Sequence, residues 1–212
     1  MLQKNSVPSN SSVLSENGSD PILLERVLTR RSLSPMRLVE PGPTQKEIEL
    51  MVSAALTAPD LGAVRPWRFI SIDQAARDEI TKIVSEAKAR RGSNGRGSAV
   101  ESERGHGARA PVQIAIIACL DPEHVDVPIL QQYISVGAAL QNMLLSADIL
   151  GYGAMILSGD EMRDPDVIKA LNVRWNEKLV ALVCLGTCPR PAKPKRRLKV
   201  ADHLTVWCGS NE

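Results

Sequence analysis

The stretch that most limits how this chain can fold is residues 128–150, PILQQYISVGAALQNMLLSADIL. Ile129, Tyr133, Val136, Leu140, Met143, Leu144 and Ala147 recur at helical spacing, and Ile134, Leu145 and Ile149 put apolar side chains on the remaining faces. At 1.5 Å per residue such a helix runs about 34 Å, and a helix apolar nearly all round must be covered nearly all round. Ser135, Gly137, Ala138, Ala139 and Ser146 would let another helix approach closely, and a second copy of this helix is one candidate.

The flanking sequence supplies the rest of a core. Asp20 and Pro21 suit an N-cap and first helical position, followed by a short apolar stripe of Leu24, Val27 and Leu28 that runs into Arg30, Arg31 and Ser32. Thr44 and Glu47 form a capping-box pair ahead of Ile48, Met51, Val52, Ala55 and Leu56, and Pro59 ends that helix. Residues 67–72 (WRFISI) read as a strand, and Asp73 caps a further helix carrying Ala76, Ile80, Ile83, Val84 and Ala87. Residues 112–120 (VQIAIIACL) form an apolar run rich in branched residues, as in a strand buried on both faces. A strand from Tyr152, a short helix capped by Asp164 and Pro165, and a strand over 179–187 complete the pattern. The order is three helices interleaved with four strands, a greasy core helix and a trailing arm. This predicts an α+β sandwich built to dimerise.

Residues 1–19 have the Ser- and Asn-rich composition of a tail, and 91–109 (RGSNGRGSAVESERGHGAR) that of a surface lid or loop. One domain over 20–188 and an arm over 189–212 follow, the arm's start barred from regular structure by Pro189, Pro191 and Pro194.

Several functions are disfavoured by composition. With 26 Lys and Arg against 24 Asp and Glu the net charge is +2, and aromatic residues are 3%, too few stacking platforms for single-stranded nucleic acid. The N-terminus has no apolar stretch long enough for a signal peptide and no later segment reaches a membrane-spanning length, so the expected place is the cytoplasm. His106, His124 and His203 are far apart and begin no metal-ligand motif, and Cys119, Cys184, Cys188 and Cys208 read as idle thiols. Gly151-Tyr152-Gly153 lacks a third glycine and precedes a strand, whereas a dinucleotide fingerprint follows a strand and opens a helix.

What remains is two basic clusters, Arg30-Arg31-Ser32 and the KPKRRLK tract at 193–199. Arg offers a planar fork to phosphate oxygens and Ser adds a hydroxyl, a set suited to a phosphomonoester, although solvated charges closing a helix would look the same. Arg-Arg-Ser after the first helix, Ala-Pro then Pro-Trp-Arg-Phe across 58–69, a Gly-Tyr-Gly strand, and Cys-Leu-Gly-Thr before a Pro- and Arg-rich arm occur together in this order. From about residue 21 to 207 the chain thereby resembles the nitroreductase family, in particular its short, minimal subgroup.

The resemblance implies a mixed, mainly antiparallel sheet flanked by helices, in an intertwined homodimer with FMN at the subunit interface. It implies that Arg30, Arg31 and Ser32 hold the FMN phosphate and ribityl chain, with Arg196 or Arg197 adding charge. Thr57, Leu61, Ala63 and Arg65 would reach the flavin from the partner subunit, and Ile156, Leu157 and Ser158 would lie behind the ring. Leu61, Ala63 and Arg65 stand where relatives more often carry polar residues, and Arg65 would set a cation near the ring's pyrimidine edge. The activity implied is hydride transfer from NAD(P)H to aromatic acceptors such as nitro compounds or quinones by a ping-pong mechanism, with no acid or base residue required. Reductive dehalogenation, flavin fragmentation, or flavin binding with little turnover are the alternatives on the same scaffold.

Overall fold

The structure, a computed structural model, describes residues 21–90, 110–190 and 197–209. The expected tail, Asp20, the 91–109 loop and Arg196 lie outside the described residues. Within them are helices α1 (Pro21–Thr29), α2 (Gln45–Ala55), α3 (Arg77–Arg90), α4 (Ile129–Ile149) and α5 (Pro165–Ala170), and strands β1 (Trp67–Ile72), β2 (Val112–Cys119), β3 (Tyr152–Leu157) and β4 (Glu177–Thr187).

The strands form one sheet in the order β1-β2-β4-β3, every neighbouring pair antiparallel. Ser32 and Ala154 form an isolated parallel bridge outside the strand pairs, so the sheet itself is antiparallel and not mixed. β2 is central and carries side chains to two cores. Ile114, Ile116 and Ala118 face α2 and α4, while Ala115 and Ile117 face α3 and α5. Both sets are completely buried, which is why the strand shows no polar alternation. β4 begins at Glu177, two residues before the apolar run at 179, and a bulge opposite Ile116 and Ile117 lets the extra length pair.

Local chemistry explains the helix starts. The Thr44 side chain accepts from the Glu47 amide while Glu47 accepts from the Thr44 amide, the reciprocal cap that satisfies two otherwise unpaired donors. Asp164 accepts from the Asp166 amide with Pro165 in the first turn of α5. The α2 helix ends at Ala55, before Pro59 can act, with Leu56 as its C-cap. Arg77, outwardly an ordinary surface charge, is instead largely covered and donates to the carbonyl oxygens of Ala110 and Pro111.

Two expectations about burial change. Along α4, Gln132, Ser135, Val136, Ala139, Met143, Leu144 and Ala147 are buried, yet Leu130, Tyr133, Ile134 and Ile149 are exposed. One chain supplies α2 and the sheet against one side of the helix and leaves the other bare. On α1 the stripe of Leu24, Val27 and Leu28 is likewise exposed, together with Ile22 and Leu23. Leu198, Val200, Leu204, Val206 and Trp207 extend the apolar surface along the arm.

Candidate functional site

Arg30, Arg31 and Ser32 lie just past the end of α1, not within it. The Arg30 amide closes the last turn onto the Arg26 carbonyl at 2.8 Å, after which the chain extends and Leu33 donates to the Ala154 carbonyl at 2.9 Å. This fixes Ser32 beside the start of β3. The close approach depends on facing glycines: Gly153 of β3 pairs with Gly186 of β4. A Cβ on Gly153 would stand 2.7 Å from both Leu33 and Leu38, and one on Gly186 would come within 3.1 Å of Leu38. The 30–38 segment therefore lies flat on the sheet.

The arm returns to the same place. Arg197 donates through Nη2 to the carbonyl oxygens of Leu28 at 2.6 Å and Arg30 at 3.3 Å, and Arg37 donates to the Arg190 carbonyl at 2.7 Å. Arg197 thus covers the carbonyl oxygens that α1 leaves unpaired, a favourable place for a cation. Beside it, Arg30 Nη1 is buried with no hydrogen-bond partner among the described residues, as is Ser34 Oγ. A buried guanidinium nitrogen without an acceptor is costly.

The second group of expected residues, Thr57, Leu61, Ala63 and Arg65, sits on a different wall. Thr57 donates to the Ala54 carbonyl at 2.8 Å, and Asn142 of α4 donates to the same oxygen at 3.2 Å. Gly62, Ala63 and Arg65 all have left-handed backbone, with φ of 71°, 52° and 52°. Asp60 holds this strained turn by accepting from the Arg65 amide at 2.8 Å. All four side chains are exposed. Asp60 and Asn142 were not singled out from sequence; an Asx residue after Pro59 was the available signal for the first, and nothing local marked the second.

The third group stands at the end of β3. Leu157 is buried, Ile156 half-buried and Ser158 exposed. Pairing with β4 stops at Leu157 opposite Leu182, so from Glu177 to Ala181 β4 is paired with β2 and leaves its β3-side edge open. A cleft of about 710 Å³ opens along that unpaired edge, between Tyr133 of α4 and the loop carrying Arg174 and Trp175. Glu177 at its base is bound bidentately by Arg68, Nε to Oε1 at 2.8 Å and Nη2 to Oε2 at 2.7 Å, which holds its carboxyl at about 2. Sequence reading passed over this cleft because its residues meet only across the bulged edge.

Cys119 donates to Glu177 Oε1 at 3.6 Å and Cys188 to the Arg190 carbonyl at 2.9 Å. Burial pushes the Cys184 thiol up to about 12, and burial together with Glu177 raises that of Cys119. Among the described residues no group of His, Cys, Asp or Glu could hold a metal ion, and no helix is long and apolar enough to cross a membrane.

The structure is an α+β scaffold with Arg30 and Arg197 gathered at one end of β3 and an open cleft at the other. The chain belongs to the Nitroreductase family, which it matches over residues 29–187. A protein of Escherichia coli (strain K12) named "Putative NAD(P)H nitroreductase YdjA" is 32% identical over 164 residues, spanning 77% of this chain and 87% of the relative. The crystal structure of a nitroreductase-like family protein from Bacillus cereus superposes with a TM-score of 0.72 at 19% identity, covering 88% of this chain and 96% of that one. A nitroreductase with bound FMN from Bacteroides fragilis NCTC 9343 gives a TM-score of 0.68 at 22% identity, covering 87% and 97%.

Proposed function

We propose that this chain is an FMN-dependent oxidoreductase, which with FMN bound supplies hydride transfer from NAD(P)H to small aromatic acceptors, nitro compounds or quinones, in ping-pong fashion. The observation that carries the reading is the buried, partnerless Nη1 of Arg30 beside Arg197. A phosphomonoester supplies the acceptor this nitrogen lacks, and Arg31 and Ser32 extend the same site along the bridge to β3. Family membership and the FMN in the Bacteroides fragilis structure support the choice of ligand.

The chain's own residues have three tasks on this reading. Arg30, Arg31, Ser32 and Arg197 hold the phosphate and ribityl chain; Arg196 is proposed with them from its place in the arm. Ile156, Leu157 and Ser158 back the ring and exclude water from its rear face. Thr57, Leu61, Ala63 and Arg65 cover it from a second subunit, their exposure in the single chain leaving them available to do so. Arg65 then places a cation where reduction builds negative charge. No side chain needs to accept or donate a proton, because the chemistry resides in the cofactor.

The assembly is a homodimer. Support comes from the bare faces of α1 and α4 and from an arm whose Trp207 is 83% exposed, an arrangement costly for an isolated chain. The domain spans 20–188, the arm 189–212, and the working compartment is the cytoplasm, in keeping with four free thiols. Titration of the purified protein with flavins tests the reading. FMN is expected to bind about 100-fold tighter than riboflavin, which lacks the phosphate. Equal affinities would remove the phosphate site, and failure to bind either would remove the cofactor.

A further inference from the structure

The strained turn over 60–65 is held from two sides, and the second hold lies outside the residues assigned to the flavin. Gly62, Ala63 and Arg65 keep left-handed backbone, which alanine and arginine adopt where the surroundings impose it. Asp60 supplies one hold through the Arg65 amide. The other is the 121–127 loop that leads into α4. A Cβ on Gly62 would stand 2.7 Å from Val127 Cγ2 and 3.6 and 3.7 Å from His124 Cε1 and Nε2, so the turn lies directly under these two side chains.

Side chains shape this loop. Buried Gln132 of α4 accepts from the Asp121 amide at 2.9 Å and donates to the carbonyl oxygens of Asp121 at 2.7 Å and Val127 at 3.0 Å, tying both ends of the loop to the helix. Between those ends, His124 Nδ1 accepts from the amides of Asp126 at 3.3 Å and Val127 at 3.2 Å. Val127 is gripped on both sides, its N–H by His124 and its C=O by Gln132, and its buried side chain bears on Gly62. An imidazole nitrogen accepts hydrogen bonds only without a proton, so these two bonds assign the ring's proton to Nε2.

We propose that His124 is a positioning residue: its two amide bonds seat Val127 on Gly62, and the turn so held sets where the Arg65 guanidinium stands against the flavin of a second subunit. The inference rests on the flavin reading above, in which Arg65 brings a cation to the edge of the ring where reduction builds negative charge. His124 touches neither flavin nor substrate; it acts through Gly62 and Arg65. Loss of the Nδ1 acceptor leaves two amides unpaired, frees Val127, and lets Ala63 and Arg65 relax toward right-handed backbone. Arg65 then moves with its backbone, at the expense of the reduced flavin far more than of the oxidised one.

Four variants of the full chain, each checked for fold by circular dichroism, test this: Arg65→Ala, His124→Ala, the two together, and His124→Asn, whose amide oxygen can stand where Nδ1 stood. The readout is the ratio of affinities for reduced and oxidised FMN, taken from the potential of the bound flavin against the free one. Arg65→Ala is expected to lower that ratio about 10-fold and His124→Ala about 3-fold, the scale of a partly screened charge interaction. The double variant should go no further than Arg65→Ala, and His124→Asn should restore the ratio. Hydrogen exchange at the Asp126 and Val127 amides should speed up in His124→Ala and slow again in His124→Asn. His124→Gln, which fills the space but carries its amide past the Nδ1 position, takes the place of His124→Ala if that variant does not fold. Effects that add in the double variant, an Asn variant that behaves like Ala, or a loss falling equally on both forms of the flavin overturns the proposal. A ratio unchanged by His124→Ala but lowered by Arg65→Ala also overturns it, while leaving the flavin reading intact. A ratio unchanged by Arg65→Ala sinks the placement of Arg65 at the ring and this inference with it, and a protein that binds no FMN sinks the oxidoreductase reading itself.

Discussion

Arg197 donates to the main-chain carbonyl of Arg30 at 3.3 Å, so the arm's guanidinium caps the helix end whose next side chain carries a buried, partnerless nitrogen. Among the described residues the two cations are held together through backbone carbonyls, and the phosphate proposed above would pair with both. Arg30→Ala is expected to weaken FMN binding by about 10- to 100-fold, the value of a charge-assisted contact of roughly 1.5 to 3 kcal/mol. Lys82→Ala, which removes an exposed charge on α3, should leave it unchanged. Fluorescence titration checks both; equal loss in the two variants would refute the assignment.

The facing glycines make a sharper structural prediction. Gly153→Ala places a methyl 2.7 Å from Leu33 and Leu38, and overpacking of this kind costs about 1 to 3 kcal/mol. Because the same contact holds Ser32 to Ala154, flavin affinity should fall with stability. Gly137→Ala, where an added methyl meets nothing within 4 Å, is the control and should be stable in denaturant melts of the monomeric state.

Arg68 and Glu177 predict a pH dependence. The Glu177 carboxyl is held at about 2, below the ordinary value near 4.3, first by its hydrogen bonds from Arg68. A depressed folded-state value means the contribution is present above about pH 5 and is lost as pH falls through the window down to about 2. Glu177→Gln should therefore lower stability at pH 7 by roughly 3 kcal/mol, since it leaves a part-buried guanidinium without its counter-charge. Its penalty should shrink toward pH 2. A penalty constant from pH 7 to pH 2 would place the effect elsewhere.

Leu204 and Trp207 are 67% and 83% exposed in the single chain, so charges there should not disturb the fold. The pair Leu204→Asp/Trp207→Asp is expected to turn a dimer into a folded monomer by light scattering. A variant that stays dimeric with unchanged dissociation would remove the arm from the interface.

Thr44→Ala tests the one local motif that reads directly into structure. Loss of the reciprocal cap should cost about 1 kcal/mol in chemical denaturation, with flavin affinity unaltered. A cost below 0.3 kcal/mol would mean that Glu47 is held by its hydrogen bond from Tyr152 instead, a contact of 2.9 Å.

Elements whose signal is local were legible. The cap at Thr44 and Glu47, the strand over 67–72 and β2, apolar but for Gln113, each follow from spacing and side-chain type within a few residues. The Arg30-Arg31-Ser32 cluster was also visible, because a basic tripeptide after a helix is written in one place. Its partner Arg197 could be named only as one of two arm arginines, since choosing it takes the fold.

Sequence alone determined the order of helices and strands, the two-sided burial of β2 and the family, because hydrophobic periodicity and short motifs survive without knowledge of neighbours. Tertiary structure decided which face of α4 a single chain covers, that Gly153 and Gly186 meet so the Arg30 segment can lie on the sheet, and that Tyr133, Arg174, Trp175 and Lys178 share one cleft. These are contacts between residues tens of positions apart, and register, the bulge opposite Ile116 and Ile117, and the early end of β3 set them. No local pattern encodes where two strands stop pairing, since that depends on how every layer above and below them packs.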